Sequence, residues 1–148
     1  MNKIQYQGGY KYQLHRTYVH DLPKEFRLHI KESFTSDFLD LTVSGILTIR
    51  SGYAWDGPSG PTIDTKNFMR GSLVHDALYQ LLREQHFGTV FDEGPRESVR
   101  LLADRLLRSI VKEDGMSSTR AWWVYWAVRL GGKDAADPRR GKKVETAP

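Results

Sequence analysis

Apolar and polar residues alternate along the first third of the chain. The alternation covers residues 10–14, 26–30 and 39–43, and it resumes at Leu47 and Ile49 after Gly45. A period of two places the apolar side chains on one face of a strand, as in antiparallel sheets with one face in water. We therefore predict an antiparallel β portion, with a bulge or bend at Gly45 where the pleat changes register.

The pattern changes twice after the predicted strands. Residues 53–64 contain two glycines, two prolines and two aspartates, which predicts a long irregular loop. Such a loop is more often functional than not, although it could equally be a simple connection from sheet to helix. From residue 65 the apolar residues recur every three to four positions, which is typical of helices. We predict three helices, at about 65–85, from Pro95 to near Gly115, and from Ser117 or Ser118 to about 131–132.

Strands followed by helices, segregated in sequence, predict an α+β fold whose first two helices form an antiparallel pair. The length of 148 residues fits one domain. We assign it to residues 1–132: the β portion 1–52, the loop 53–64 and the helical portion 65–132. Residues 133–148 form a basic tail, expected to be flexible and solvated, although it could contact nucleic acid or anionic lipid.

The amino-acid composition excludes some kinds of site and disfavours some functions. The chain has no cysteine, which excludes disulfides and thiolate metal sites. Its basic residues are scattered, so nucleic-acid binding is not expected. We expect neither a signal peptide nor a transmembrane helix, because no apolar run has the required length.

The candidate catalytic residues are one histidine, one tyrosine and one aspartate. His75 and Tyr79 are four residues apart on the first predicted helix and share a face. Asp104 lies among apolar residues of the second helix, so its carboxylate should face protein and needs a partner. Antiparallel packing of the two helices would bring Asp104 close to both His75 and Tyr79. One nitrogen of His75 would then donate to the aspartate, and the other could take a proton from water.

A calcium site is predicted beside this group. Asp76 is rotated about 100° from His75 around the helix, which directs it toward the loop. Calcium takes six to eight oxygen ligands, including backbone carbonyls. It would polarise an ester carbonyl while His75 activates the attacking water. The predicted ligands are Asp76, Asp56, Gly57, Ser59 and Gly60.

The segment His75-Asp-Ala-Leu-Tyr79 resembles the His-Asp-x-x-Tyr helix of the phospholipase A(2) superfamily, and the pair Ala103-Asp104 resembles its second aspartate. The capsid-borne phospholipase domain of parvoviruses is the closer analogue, since it lacks disulfides and opens with a Gly-Pro-Gly loop, here Gly57-Pro-Ser-Gly60. The resemblance implies that the histidine is the general base, that the next aspartate binds calcium, and that the tyrosine and second aspartate hold the histidine. The β portion is a departure from that superfamily.

Residues from about 39 to 132 also resemble a family of short phage and prophage proteins of unknown function. The shared features are Asp56-Gly-Pro-Ser59, the His-Asp-x-x-Tyr and Ala-Asp motifs, and the closing segment 125–129. This resemblance implies a phage-encoded protein, made in the bacterial host cytoplasm and a candidate virion component.

The third predicted helix contains Ala121-Trp-Trp-Val-Tyr-Trp-Ala-Val128, which is apolar on every side. We predict that at least one of Trp122, Trp123 and Trp126 stays largely exposed, to contact a lipid surface, another virion protein or a second copy. On a membrane, Arg120 and Arg129 would face lipid phosphates. The simpler alternative is that the β portion covers the second face of this helix.

These features together predict a phage-encoded, calcium-dependent, phospholipase-like lipid-ester hydrolase. Two alternatives remain open. The first is a non-enzymatic virion or host-interaction protein on a degenerate lipase-like scaffold, in which the four polar residues only fix helix packing. The second is a metal-dependent His-Asp phosphohydrolase. That class needs a further upstream histidine on a helix, whereas His20 and His29 lie on predicted strands.

Overall fold

A computed structural model describes residues 4, 6–7, 12–56, 65–87 and 93–132, with side chains in the last segment from residue 98 onward. Antiparallel strands come first and helices follow, which confirms the predicted α+β class. The predictions for the loop beyond Asp56, namely residues 57–64, and for the tail 133–148 lie outside the described residues.

Short strands build two antiparallel sheets in the described part of the chain. One sheet has the order β1-β2-β7 and the other the order β3-β6-β5-β4. The strands are β1 Tyr6–Gln7, β2 Tyr12–Leu14, β3 Tyr18–Asp21, β4 Phe34–Thr35, β5 Leu39–Leu41, β6 Ile46–Ile49 and β7 Ala54–Trp55.

The hairpin of β5 and β6 follows the predicted alternation, since Leu39, Leu41, Leu47 and Ile49 are all fully buried. Gly45 lies in its turn with φ +88°, a conformation that glycine adopts without steric cost. The expected bulge or bend at Gly45 is therefore a chain reversal between two paired strands.

The strand predicted at residues 26–30 was wrong. Residues Lys24–His29 form a 3₁₀ helix, here called η1, which begins directly after Pro23. Pro23 has no N–H for a sheet ladder, and its carbonyl accepts from the N–H of Phe26 at 3.0 Å. Leu28 is 85% exposed although Phe26 is buried, so the apparent alternation does not describe one face.

The predicted loop 53–64 begins too early, because Ala54–Trp55 pairs with β2 as an edge strand. The two prolines lie beyond this pair, so nothing in it prevents edge pairing. Trp55 is buried against the first helix, and its indole N–H donates to the Ser72 hydroxyl at 3.0 Å. This contact places the end of β7 beside the candidate site.

The three helices have the predicted bounds within a few residues: α1 Lys66–Arg83, α2 Glu93–Glu113 and α3 Ser118–Gly131. The Ser117 hydroxyl caps α3 by accepting from the N–H of Arg120 at 3.3 Å. Gly115 ends α2 with φ +102°, and the N–H of Met116 returns to the carbonyl of Val111 at 2.9 Å.

Helix α1 lies between the β portion and α2, which explains why it is buried on almost every side. Two contacts give the relative direction of α1 and α2. Gly71 lies near Leu107 and Val111 at one end of the pair, and Arg100 donates to Tyr79 at the other end. The two helices therefore run antiparallel. No helix among the described residues is long and apolar enough to cross a membrane.

Gly71 allows the close approach of α1 to α2. A Cβ at this position would lie 2.7 Å from Val111 Cγ1 and 2.9 Å from Leu107 Cδ1. We expect Gly71→Ala to lower the free energy of unfolding by about 1–3 kcal/mol, because the added methyl overpacks this contact. Gly131→Ala is the matched control, since its Cβ would meet nothing within 4 Å and it should leave stability unchanged or slightly higher. Urea unfolding of both variants checks this, and equal stabilities would contradict it.

Candidate functional site

The carboxylate of Asp104 lies at the centre of the candidate site and is fully buried. Its Oδ1 accepts a hydrogen bond from Nε2–H of His75 at 2.7 Å and another from the Tyr79 hydroxyl at 2.6 Å. The structure therefore brings together the three residues that the sequence predicts to meet. The reason is helical spacing, because His75 and Tyr79 are one turn apart on α1 and both face α2.

Two arginines complete the surroundings of Asp104. Nη1 of Arg129 donates to Oδ2 at 2.8 Å, and Nη1 of Arg100 lies 3.6 Å from the same oxygen. Arg100 also donates to the Tyr79 hydroxyl at 3.3 Å and to the carbonyls of Val128 and Arg129 at 3.3 and 3.1 Å. Arg129 is thus bound to the aspartate, and the expectation that it faces lipid phosphates was wrong.

Sequence reasoning missed both of these arginine contacts. Arg100 precedes Asp104 by four residues, so it shares the same helix face, and a buried carboxylate implies a nearby cation. The sequence therefore contained a signal for the contact between Arg100 and Asp104. Arg129 is on another helix, and no local pattern connects it to Asp104.

His75 has its two ring nitrogens in different surroundings. Because a carboxylate only accepts, Nε2 carries the proton that goes to Asp104, and Nδ1 of the neutral ring is left with a lone pair. Nδ1 lies 3.9 Å from Oδ1 of Asp76. Burial lowers the pKa of His75, but the hydrogen bonds and negative charges of Asp104 and Asp76 outweigh it, and the net pKa is raised.

Tyr79 remains a hydrogen-bond donor under ordinary conditions. Burial and the negative charge of Asp104 both raise the pKa of its hydroxyl. Its ring centroid lies 4.1 Å from that of His75, so the two rings limit each other's motion. Gly132 closes the other side, where a Cβ would lie 2.6 Å from the Tyr79 hydroxyl oxygen.

Asp76 lies where the end of the β portion crosses α1. Trp55 bonds to Ser72, one turn before Asp76, and the Tyr53 hydroxyl donates to Oε1 of Gln80 at 3.0 Å, one turn after it. The Asp76 side chain keeps about a third of its surface exposed (35%). Burial of the remainder raises the pKa of this carboxyl, His75 lowers it, and the nearby charge of Asp56 raises it further.

These observations limit where a cation could bind. Asp104 is surrounded by hydrogen-bond donors, two of them guanidinium groups, so it is unsuited to hold a metal ion. The negative charge of Asp56 raises the pKa of the Asp76 carboxyl, and a hard cation bound there would relieve that repulsion. Among the described residues no three His, Asp or Glu side chains form a metal-binding group. The other expected ligands, Gly57, Ser59 and Gly60, lie outside the described residues.

Removing Arg129 tests how far Asp104 depends on its charged partner. We expect Arg129→Met to lower the free energy of unfolding by about 3 kcal/mol, because a fully buried carboxylate loses its closest cation. Arg105→Met is the matched control on the exposed face of α2, and it should change stability by less than about 0.5 kcal/mol. Urea unfolding separates the two, and a similar small effect in both would contradict the proposed dependence.

Comparison with known proteins adds one finding. No curated protein and no solved structure matches the chain. A family model matches residues 33–128, which include β4 to β7, all of α1 and α2, and most of α3. The match contains His75, Tyr79 and Asp104 and ends one residue before Arg129. Because it covers well over half of the sequence, the chain belongs to the protein family of unknown function DUF1353.

Proposed function

We propose that this chain is a hydrolase of lipid esters in which His75 is the general base. The observation that carries the proposal is the asymmetry of the His75 ring. A buried aspartate holds Nε2, whereas Nδ1 lies on the side of Asp76 and the end of β7. This is the arrangement that a base needs, because one nitrogen is fixed and the other can accept a proton.

The proton transfers follow from this arrangement. Nδ1 of His75 takes a proton from a water molecule as the water oxygen attacks the ester carbonyl carbon. The resulting imidazolium is stabilised by the carboxylate of Asp104, in agreement with the raised pKa of His75. When the tetrahedral intermediate breaks its bond to the leaving alkoxide, Nδ1–H returns the proton to that oxygen. Tyr79 and Arg129 keep Asp104 in place throughout.

Calcium belongs to the proposal as the electrophile. Asp76 and Asp56 would hold it, with Gly57, Ser59 and Gly60 as further candidates. When bound, the ion would polarise the ester carbonyl and stabilise the negative charge that develops on its oxygen. The partial exposure of Asp76 supports this assignment, because a ligand for an exchangeable ion needs access to solvent.

The resemblance to phage proteins supports a narrower proposal, in which the enzyme is phage-encoded and acts on host lipid. A non-enzymatic virion or host-interaction protein is the second candidate. The dense bonding of Asp104 to three helices favours it, because a polar network of this kind fixes packing without any chemistry. The His-Asp phosphohydrolase has less support, since the upstream His20 lies on strand β3 rather than on a helix, and its ring nitrogen bonds to the Tyr18 hydroxyl.

Turnover distinguishes the two candidates. We expect the wild-type chain to hydrolyse phospholipid vesicles in millimolar calcium, and His75→Asn to lower the rate by a factor of about 10² or more, because proton abstraction by a positioned base contributes that much. His15→Asn is the control, as an exposed histidine in the β portion. Fatty-acid release is the measurement. Wild-type inactivity would rule out lipid-ester hydrolysis and favour the non-enzymatic candidate, whereas full activity of His75→Asn would exclude His75 as the general base.

Asp76→Asn tests the calcium assignment without turnover. The raised pKa means that folding disfavours the ionised carboxylate, so this group's effect on stability becomes more unfavourable as pH rises through the usual aspartate range. Near neutral pH and without calcium, the variant should therefore unfold at the same temperature as wild type or higher. Millimolar calcium should raise the unfolding temperature of wild type and not that of the variant. Equal calcium effects in both proteins would exclude Asp76 as a ligand.

A further inference from the structure

Helix α3 has an apolar face that nothing in the described part of the chain covers. Trp122, Trp123 and Trp126 are 51%, 55% and 44% exposed, and Leu130 is 82% exposed. The prediction that at least one of the three tryptophans stays largely exposed is confirmed. The alternative that the β portion covers this face was wrong. We call these four residues the tryptophan face.

The tryptophan face lies opposite the side by which α3 packs on the domain. Ala121 and Val124 are buried and, with Val128, contact the apolar residues between α1 and α2. Trp122, Trp126 and Leu130 recur every four residues and form one row on the other side. The rings of Trp122 and Trp126 contact edge to face, with centroids 6.4 Å apart.

Basic residues lie on the side of α2 that contacts α3; Arg105 and Lys112 are exposed and Arg108 is partly buried. Arg105, Arg108 and Lys112 share one side of α2 by their spacing of three and four, and we call them the basic strip. The guanidinium of Arg108 lies over the ring of Tyr125 on α3, 5.8 Å from its centroid. This contact joins the strip to the helix that presents the tryptophans.

The acidic residues in the same region are all bound to arginines. From residue 98 to residue 132 the acidic side chains are Asp104, Glu113 and Asp114. Asp104 is buried with Arg129, and the other two bind Arg70 on α1. Between residues 98 and 132 the exposed side chains therefore carry more positive than negative charge.

We infer that the tryptophan face and the basic strip together dock on an anionic lipid surface. Tryptophan and tyrosine suit the boundary of a bilayer, where an apolar body and a polar handle are both satisfied. Arginine and lysine beside them attract anionic headgroups. Fourteen residues of helix extend for about 21 Å, so α3 would lie in the interface plane. A second copy is disfavoured, because symmetric pairing of this face brings two basic strips together.

The inference is independent of the proposed hydrolysis, because docking requires no turnover. Binding is measured by co-sedimentation with vesicles of phosphatidylcholine, with and without phosphatidylglycerol, in the presence of a calcium chelator. We expect binding only to the vesicles that contain phosphatidylglycerol. The double variant Trp122→Ser/Trp126→Ser should lower the partition coefficient by about tenfold or more, since two large apolar side chains are lost from the interface. Leu28→Ser/Val43→Ser is its control, with two exposed apolar residues of the β portion removed.

Neutralising the basic strip gives the second test. Each basic residue near an anionic surface contributes about fivefold to binding, so replacing Arg105, Arg108 and Lys112 with glutamine should weaken it by about 100-fold. Replacing Arg16, Lys24 and Lys31 removes the same charge from exposed positions of the β portion and should have little effect. Equal loss in both triple variants would overturn the inference, as would absence of binding by the wild type. Sedimentation showing a dimer that the tryptophan variant abolishes, without vesicle binding, would instead assign the face to a second copy.

Discussion

Burial of the Asp104 carboxylate is the constraint on which the helical portion depends. An ionised carboxylate is costly to remove from water unless hydrogen bonds and opposite charges replace its hydration. Here α1 supplies His75 and Tyr79, and α3 supplies Arg129. All three must reach one carboxyl group on α2, so the rotation and axial position of each helix are fixed together. Apolar packing alone would tolerate small slides of one helix along another.

A second ionic cluster, centred on Arg70, holds the other end of the α1–α2 pair. Unlike the Asp104 cluster, it includes an exposed carboxylate. Arg70 of α1 is buried and binds Asp114 at 2.9 Å and the Tyr18 hydroxyl of β3, also at 2.9 Å. It also binds Glu113, whose side chain is mostly exposed. This cluster ties a strand to both helices and pairs the buried guanidinium of Arg70 with two carboxylates. The Asp104 cluster instead keeps water away from its carboxylate and leaves one imidazole nitrogen directed toward Asp76.

Stability and proposed chemistry therefore depend on the same hydrogen bonds. The bond from His75 to Asp104 helps to offset the cost of burying the aspartate, and it also fixes the ring so that Nδ1 can act as a base. A polar network kept only for packing would not need Nδ1 beside a partly exposed carboxylate. Trp55 of β7 packs on α1, and this contact brings the next residue, Asp56, to the side of the helix that carries Asp76.

The sequence by itself determined the elements whose signals are local. Apolar spacing of 3.6 residues and the caps at Ser117 and Gly115 predicted the helices. The four-residue spacing of His75 and Tyr79 predicted that both contact a buried Asp104. Local signals failed at residues 24–29 and 54–55, because a strand exists only where a partner is available to pair with it. Only the tertiary structure decided that Arg129 binds Asp104 and that the tryptophans of α3 stay uncovered. Both depend on how α3 is rotated against α2, which is set by packing and charge pairing between segments distant in sequence.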